Sequence, residues 1–120
     1  MSLTVLIVDD AVFMRNILRA IIKDKGYTVI AEAASGIEAM KTLHDHNPEI
    51  VILDIILPDA NGLDLLESIL KVRPQAKVVI CSSISQEPII KKALDHGAKG
   101  FIQKPFTPEK VLAALESLET

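Results

Sequence analysis

Apolar side chains recur along this chain in two rhythms that take turns. Five short runs, at 3–8, 28–33, 50–53, 77–81 and 100–102, are rich in Val, Ile and Leu. Most of them are continuous rather than alternating, the pattern of parallel strands covered on both faces. Helical spacing fills the intervals. Met14, Ile17, Leu18, Ile21 and Ile22 repeat as i, i+3, i+4, i+7 and i+8, one buried stripe, and Gly26 stands where a glycine ends such a helix. Ser35 and Glu38 form a serine-x-x-glutamate capping box for a second helix, which Asn47-Pro48 closes. Gly62 opens a third, with Leu63, Leu66, Ile69 and Leu70 inward. Ile89, Ile90, Ala93 and Leu94 mark a fourth, ended by His96-Gly97. Thr107 as N-cap and Pro108 at the first helical position open a fifth, which buries Val111, Leu112, Leu115 and Leu118.

Strict alternation of strand and helix calls for an α/β fold, an open parallel sheet with right-handed crossovers. In such sheets ligands bind beyond the carboxyl ends of the strands. The first predicted strand ends in Asp9-Asp10, the third in Asp54 and the fourth in Ser82-Ser83, while Lys104-Pro105 follows the fifth. Each has an ordinary reading alone: aspartate and serine cap the next helix, and lysine is solvated. Together they put three carboxylates, a hydroxyl and an ammonium on one sheet edge. Clustered carboxylates repel one another, and a hard divalent cation relieves that repulsion. Mg²⁺ favours one or two carboxylates, waters and a phosphate oxygen. Lys104 then offers fixed positive charge, and Ser82 a donor, to the remaining phosphate oxygens. An aspartate is also a nucleophile able to carry a phosphoryl group.

Composition narrows the field. The 120 residues suit one domain, 1–120, and with 49% hydrophobic and 24% charged residues a globular core is expected. Thirteen basic against sixteen acidic side chains give a net charge of −3, unlike a nucleic-acid footprint. Apolar runs are too short for membrane insertion, and the start has no secretory leader pattern. Cys81 has no second cysteine to pair with, which suits a reducing cytoplasm and a small buried hydrophobe. His44, His46 and His96 fall near helix ends, where imidazole favours the helix dipole, and none has metal-ligand spacing.

The full pattern resembles the receiver domain of bacterial two-component response regulators, above all the stand-alone chemotaxis members. Val5-Leu6-Ile7-Val8-Asp9-Asp10, Leu53-Asp54 with Pro58 and Gly62, Cys81-Ser82, Gly97-Ala98-Lys99-Gly100-Phe101 and Lys104-Pro105-Phe106 carry the likeness, and Phe13-Met14-Arg15 points to the chemotaxis group. The resemblance implies a flavodoxin-like, doubly wound sheet of strand order 2-1-3-4-5 with five helices. It implies that Asp54 accepts a phosphoryl group from a sensor histidine kinase or a small donor. Asp9, Asp10, Asp54 and the Ile56 backbone carbonyl would hold Mg²⁺. Ser82 and Lys104 would grip the phosphoryl group, with Ser83 a weaker rival to Ser82, and Lys104-Pro105 would be a cis peptide. Phe101 would swing inward as Ser82 moves and so reshape the face of fourth helix, fifth strand and fifth helix. The expected role is a monomeric signalling switch, not an enzyme, whose partners are the kinase and a flagellar motor switch or other effector protein. A phosphorelay intermediate and a receiver cut from a longer regulator are the alternatives.

Ile56 and Ile84, two residues after Asp54 and Ser82, are apolar where family members often carry polar groups, so slow self-dephosphorylation is expected. Other phosphate-handling folds fit less well. A haloacid-dehalogenase-type phosphatase needs an aspartate where Ile56 stands, a flavin carrier needs a Ser/Thr/Gly-rich loop where Asp9-Asp10-Ala11-Val12 stands, and a GTPase needs G-x-x-x-x-G-K-[ST].

Overall fold

A computed structural model describes residues 3–84 and 86–118 of the chain. Strands β1 (Thr4–Val8), β2 (Thr28–Ala33), β3 (Ile50–Leu53), β4 (Lys77–Ser82) and β5 (Gly100–Gln103) alternate with helices α1 (Val12–Asp24), α2 (Gly36–Asp45), α3 (Gly62–Val72), α4 (Glu87–Asp95) and α5 (Pro108–Glu116). The sheet is parallel throughout, in the order β2-β1-β3-β4-β5. Strand bounds differ from the sequence pattern by a residue at most: β1 begins at Thr4, while β4 and β5 run on through Ser82 and Gln103.

Alternation of side chains along each strand sorts the core into two layers. Leu6, Val8, Val51, Leu53, Val78 and Ile80 face α2, α3 and α4, meeting Leu43, Leu66, Ile69 and Ala93. Val5, Ile7, Ile50, Ile52, Val79 and Cys81 face α1 and α5, meeting Leu18, Ile22, Val111 and Leu115. The central strands β1 and β3 are therefore covered on both sides, as their continuous apolar runs imply. One irregularity redirects a side chain. The β1–β2 register slips between Val5 and Leu6, so Glu32 pairs with Ile7 instead of Val8. A one-residue slip reverses the face a side chain takes, and this one points Glu32 toward α1.

Helix ends follow the capping rules with some substitutions of partner. Ser35 accepts from Glu38 N–H, but the Glu38 carboxylate reaches Ala34 N–H at 3.0 Å, one residue beyond the usual box. The α3 cap is Asn61, whose Oδ1 accepts from Leu63 N–H; Gly62 follows it because a Cβ there would lie 2.1 Å from the Ile55 backbone. Thr107 caps α5 as expected. Gly26, at φ 90°, takes the left-handed turn after α1. The α4 stripe is thinner than its sequence suggests: Ala93 is its buried residue, and Leu94 is 46% exposed because it lies off the inward face.

Candidate functional site

The carboxyl ends of β1, β3, β4 and β5 meet at one pocket. Asp9 follows the buried run Val5 to Val8 and Asp54 the fully buried β3, so their carboxylates are drawn below the surface, while Asp10 stays exposed beside them. One oxygen from each of Asp9, Asp10 and Asp54 lies within 4.8 Å of the others. Lys104 reaches in from the β5–α5 loop: its Nζ lies 2.6 Å from Asp9 Oδ2 and 2.8 Å from Asp54 Oδ2. The remaining oxygens are held by main chain, Asp9 Oδ1 by Ala11 N–H and Asp54 Oδ1 by Ile56 N–H, both at 2.9 Å. Burial alone would lower the Lys104 pKa, but hydrogen bonds and charge from Asp54 and Asp9 outweigh it and raise the value. The ammonium is thus fixed as a cation bridging two buried anions.

Ser82 ends β4 fully buried, and its carbonyl accepts from Lys104 N–H at 2.9 Å. Its hydroxyl accepts from Ile84 N–H at 3.3 Å, and among the described residues it makes no hydrogen bond to Asp54. Ser83, its rival, is exposed. Phe101 is half-buried on β5, against the α2–α3–α4 layer. The Lys104–Pro105 peptide is cis. Ile56, 50% exposed, and the half-buried Ile84 share a groove of about 300 Å³ with Leu57, Leu63 and Ile89. The three carboxylates offer the hard oxygen donors that Mg²⁺ requires.

Residues outside the pocket have ordinary partners. Cys81 is buried and its thiol is pushed up to about 12, chiefly by desolvation, which makes it unreactive. His96 caps α4, with Nδ1 at 2.7 Å from Lys92 O and Nε2 at 2.8 Å from Glu67 Oε1. His44 lies in the last turn of α2, and His46 is its C-cap. Two sets of supporting contacts gave no signal in the sequence. Asp59, in the β3–α3 loop, accepts from Gly36 and Ile37 N–H at the start of α2, and these bonds lower its pKa. Arg15 folds back from α1 to the Asp9 carbonyl and to Glu32. Spacing can mark the helix face of Arg15, but neither its bond to the Asp9 carbonyl nor that of a loop residue such as Asp59 to distant main chain.

An acidic pocket with a bridging lysine, at the carboxyl edge of a 2-1-3-4-5 parallel sheet, defines a signalling receiver. The family model for the response regulator receiver domain matches residues 5–116, and the chain belongs to that family. It is 46% identical over 114 residues to the chemotaxis protein CheY of Listeria monocytogenes, covering 95% of this chain and 96% of that one. It is 44% identical over 118 residues to CheY of Thermotoga maritima, covering 98% of each. Among solved structures, the CheX–CheY–BeF3–Mg²⁺ complex from Borrelia burgdorferi superposes with a TM-score of 0.95 at 38% identity, covering 98% of this chain and 90% of that one. The chain is a CheY-like receiver domain of a two-component system. No helix among the described residues is long and apolar enough to cross a membrane.

Proposed function

We propose that Asp54 accepts a phosphoryl group and that the acquired charge switches binding of a chemotaxis-type protein partner. The observation that carries this is the Lys104 ammonium bridging buried Asp9 and Asp54 at the sheet edge. A carboxylate so held is fixed in orientation, and its neighbouring cation is ready to meet phosphate oxygens. An Asp54 oxygen attacks phosphorus, the new O–P bond forms as the P–N bond of a kinase phosphohistidine breaks, and the imidazole leaves with the electron pair and takes a proton. Asp9, Asp10, Asp54 and the Ile56 carbonyl would hold Mg²⁺, which supplies charge neutralisation between carboxylates and the transferring group. Lys104 exchanges its contact with Asp54 for one with the phosphoryl group. The buried Ser82 hydroxyl turns from Ile84 N–H to a phosphate oxygen, and Phe101 moves into the space this opens. The α4–β5–α5 face changes with it. A coupling of about 1–3 kcal/mol alters partner affinity several-fold to a hundred-fold.

In this reading the domain works in the cytoplasm between a sensor kinase and an effector such as a flagellar motor switch, and its only catalysis is of its own phosphorylation and dephosphorylation. The likeness to CheY proteins supports direct protein output. Incubation with acetyl phosphate and Mg²⁺, followed by intact-mass measurement, tests the central claim. Wild type should gain one phosphoryl group and Asp54→Ala none; a gain in both, or in neither, overturns it. Phe101→Ala should be phosphorylated normally but lose phosphorylation-dependent partner binding, and retained binding would remove Phe101 from the switch.

A further inference from the structure

Asp10 differs from the other two carboxylates of the pocket. Asp9 and Asp54 are buried, and both oxygens of each carry hydrogen bonds. The Asp10 side chain is exposed, and among the described residues it makes no hydrogen bond of its own. Its aim into the pocket therefore depends on the main chain that carries it. Side chains hold that main chain at two points: Asp9 Oδ1 accepts from Ala11 N–H at 2.9 Å, and Arg15 Nη1 donates to the Asp9 carbonyl oxygen at 2.5 Å. The Asp9 carbonyl belongs to the peptide unit joining Asp9 to Asp10. Because that unit is planar, fixing its oxygen fixes its tilt; with the Asp10–Ala11 unit held through Ala11 N–H, this sets the direction in which Asp10 leaves the chain.

Arg15 is itself braced. Its Nε donates to Glu32 Oε1 at 3.1 Å, and the other Glu32 oxygen is taken by Arg19. Arg19 in turn bonds Asn16, and among the described residues it makes no hydrogen bond to the Asp9–Asp10 peptide. Glu32 faces α1 because of the register slip in β2, so an irregularity at the sheet edge orients the brace. Arginine suits the post because its planar fork addresses two acceptors at once and it keeps its charge at any working pH.

We infer that Arg15 is a positioning residue for the metal site, setting the aim of Asp10 through the Asp9–Asp10 peptide. This rests on the Mg²⁺ site proposed above, and it assigns Arg15 no contact with metal or phosphoryl group. Charge alone makes the opposite forecast. Deleting a cation beside an acidic pocket should tighten Mg²⁺ binding, whereas loosening Asp10 should weaken it. The sign separates the two effects.

The test is calorimetric titration with Mg²⁺ alone on the intact domain, with thermal unfolding of every variant in parallel. Arg15→Met should bind Mg²⁺ about 10-fold more weakly, the scale of losses when groups supporting metal ligands are removed. Arg15→Lys keeps the charge but not the two-acceptor fork, and should fall between Arg15→Met and wild type. Arg19→Met, which removes a similar charge and the same Glu32 contact, should stay within about twofold of wild type. Affinity in folded Arg15→Met or Arg15→Lys equal to or tighter than wild type overturns the assignment, as does an equal loss in Arg19→Met. A wild type that binds no Mg²⁺ would instead bring down the metal site itself.

Discussion

Replacing Lys104 by methionine keeps the stem of the side chain and deletes its charge. In wild type that ammonium, 15% exposed, touches Asp9 and Asp54 at 2.6 and 2.8 Å. Without it, two buried carboxylates face one another uncompensated, with oxygens no more than 4.8 Å apart. At an effective dielectric of 20 and that spacing, the repulsion is roughly 3.5 kcal/mol. Deleting one partner of a buried ion pair costs about 3–5 kcal/mol. Exposed Asp10 opens the pocket to water on one side, so the lower end, about 3 kcal/mol, applies here. For a domain of this size the melting temperature should fall by roughly 12 °C in EDTA. The same change frees two oxygens from a competing cation, so Mg²⁺ should bind the variant more tightly than wild type. At a hundredfold excess over Kd, the metal returns about 2.7 kcal/mol. Melting curves followed by circular dichroism, in EDTA and across a Mg²⁺ titration, read both effects. The sign with pH is also set. The folded Lys104 pKa is raised, so its contribution is complete below the ordinary 10.5 and fades as pH climbs through the higher folded value. The gap between the proteins should stay level up to pH 10.5 and narrow above it. Equal melting in EDTA, or weaker Mg²⁺ binding by the variant, would refute the reasoning.

A polar residue in place of Ile56, such as Ile56→Gln, should speed loss of phosphate from Asp54 several-fold by ordering water at the groove mouth, as measured by the decay of phosphoprotein; an unchanged lifetime counts against the apolar-pair argument. The Cys81 thiol should resist a disulfide reagent at neutral pH until denaturant is added, since its pKa sits near about 12 in the fold. The linked stability is full below 9.0 and lost as pH rises from there toward 12, so Cys81→Ala should flatten alkaline unfolding over that window. Gly62→Ala drives a Cβ into the Ile55 backbone and should cost about 3 kcal/mol in urea unfolding, the upper range for overpacking.

The sheet was readable in the sequence because parallel strands need no specific partner chemistry, only unbroken apolar cover, and 50–53 supplies it in full. The pocket was readable for a related reason: polar residues that end such runs must gather at one edge. Strand order and the expectation for Phe101 came from family likeness rather than from pattern. What stayed hidden were contacts between segments distant along the chain. Asp59 meets Gly36 across 23 residues, and Glu32 meets Arg15 only because β2 slips register. Leu94 was misjudged because its spacing in a short, sparsely apolar helix fits two faces equally, and only packing chooses between them.

The thinness of the α4 interface has a consequence for how the molecule opens. With Ala93 as its one buried residue, α4 is anchored by far less apolar surface than β1 and β3, whose residues from Val5 to Val8 and from Ile50 to Leu53 are buried throughout. Opening free energies follow such anchoring, so α4 amides should exchange with deuterium through local unfolding while those of β1 and β3 wait for global unfolding. The carboxylate pocket is thus mounted on the strands expected to exchange last, while α4, part of the proposed output face, should open at a lower free energy.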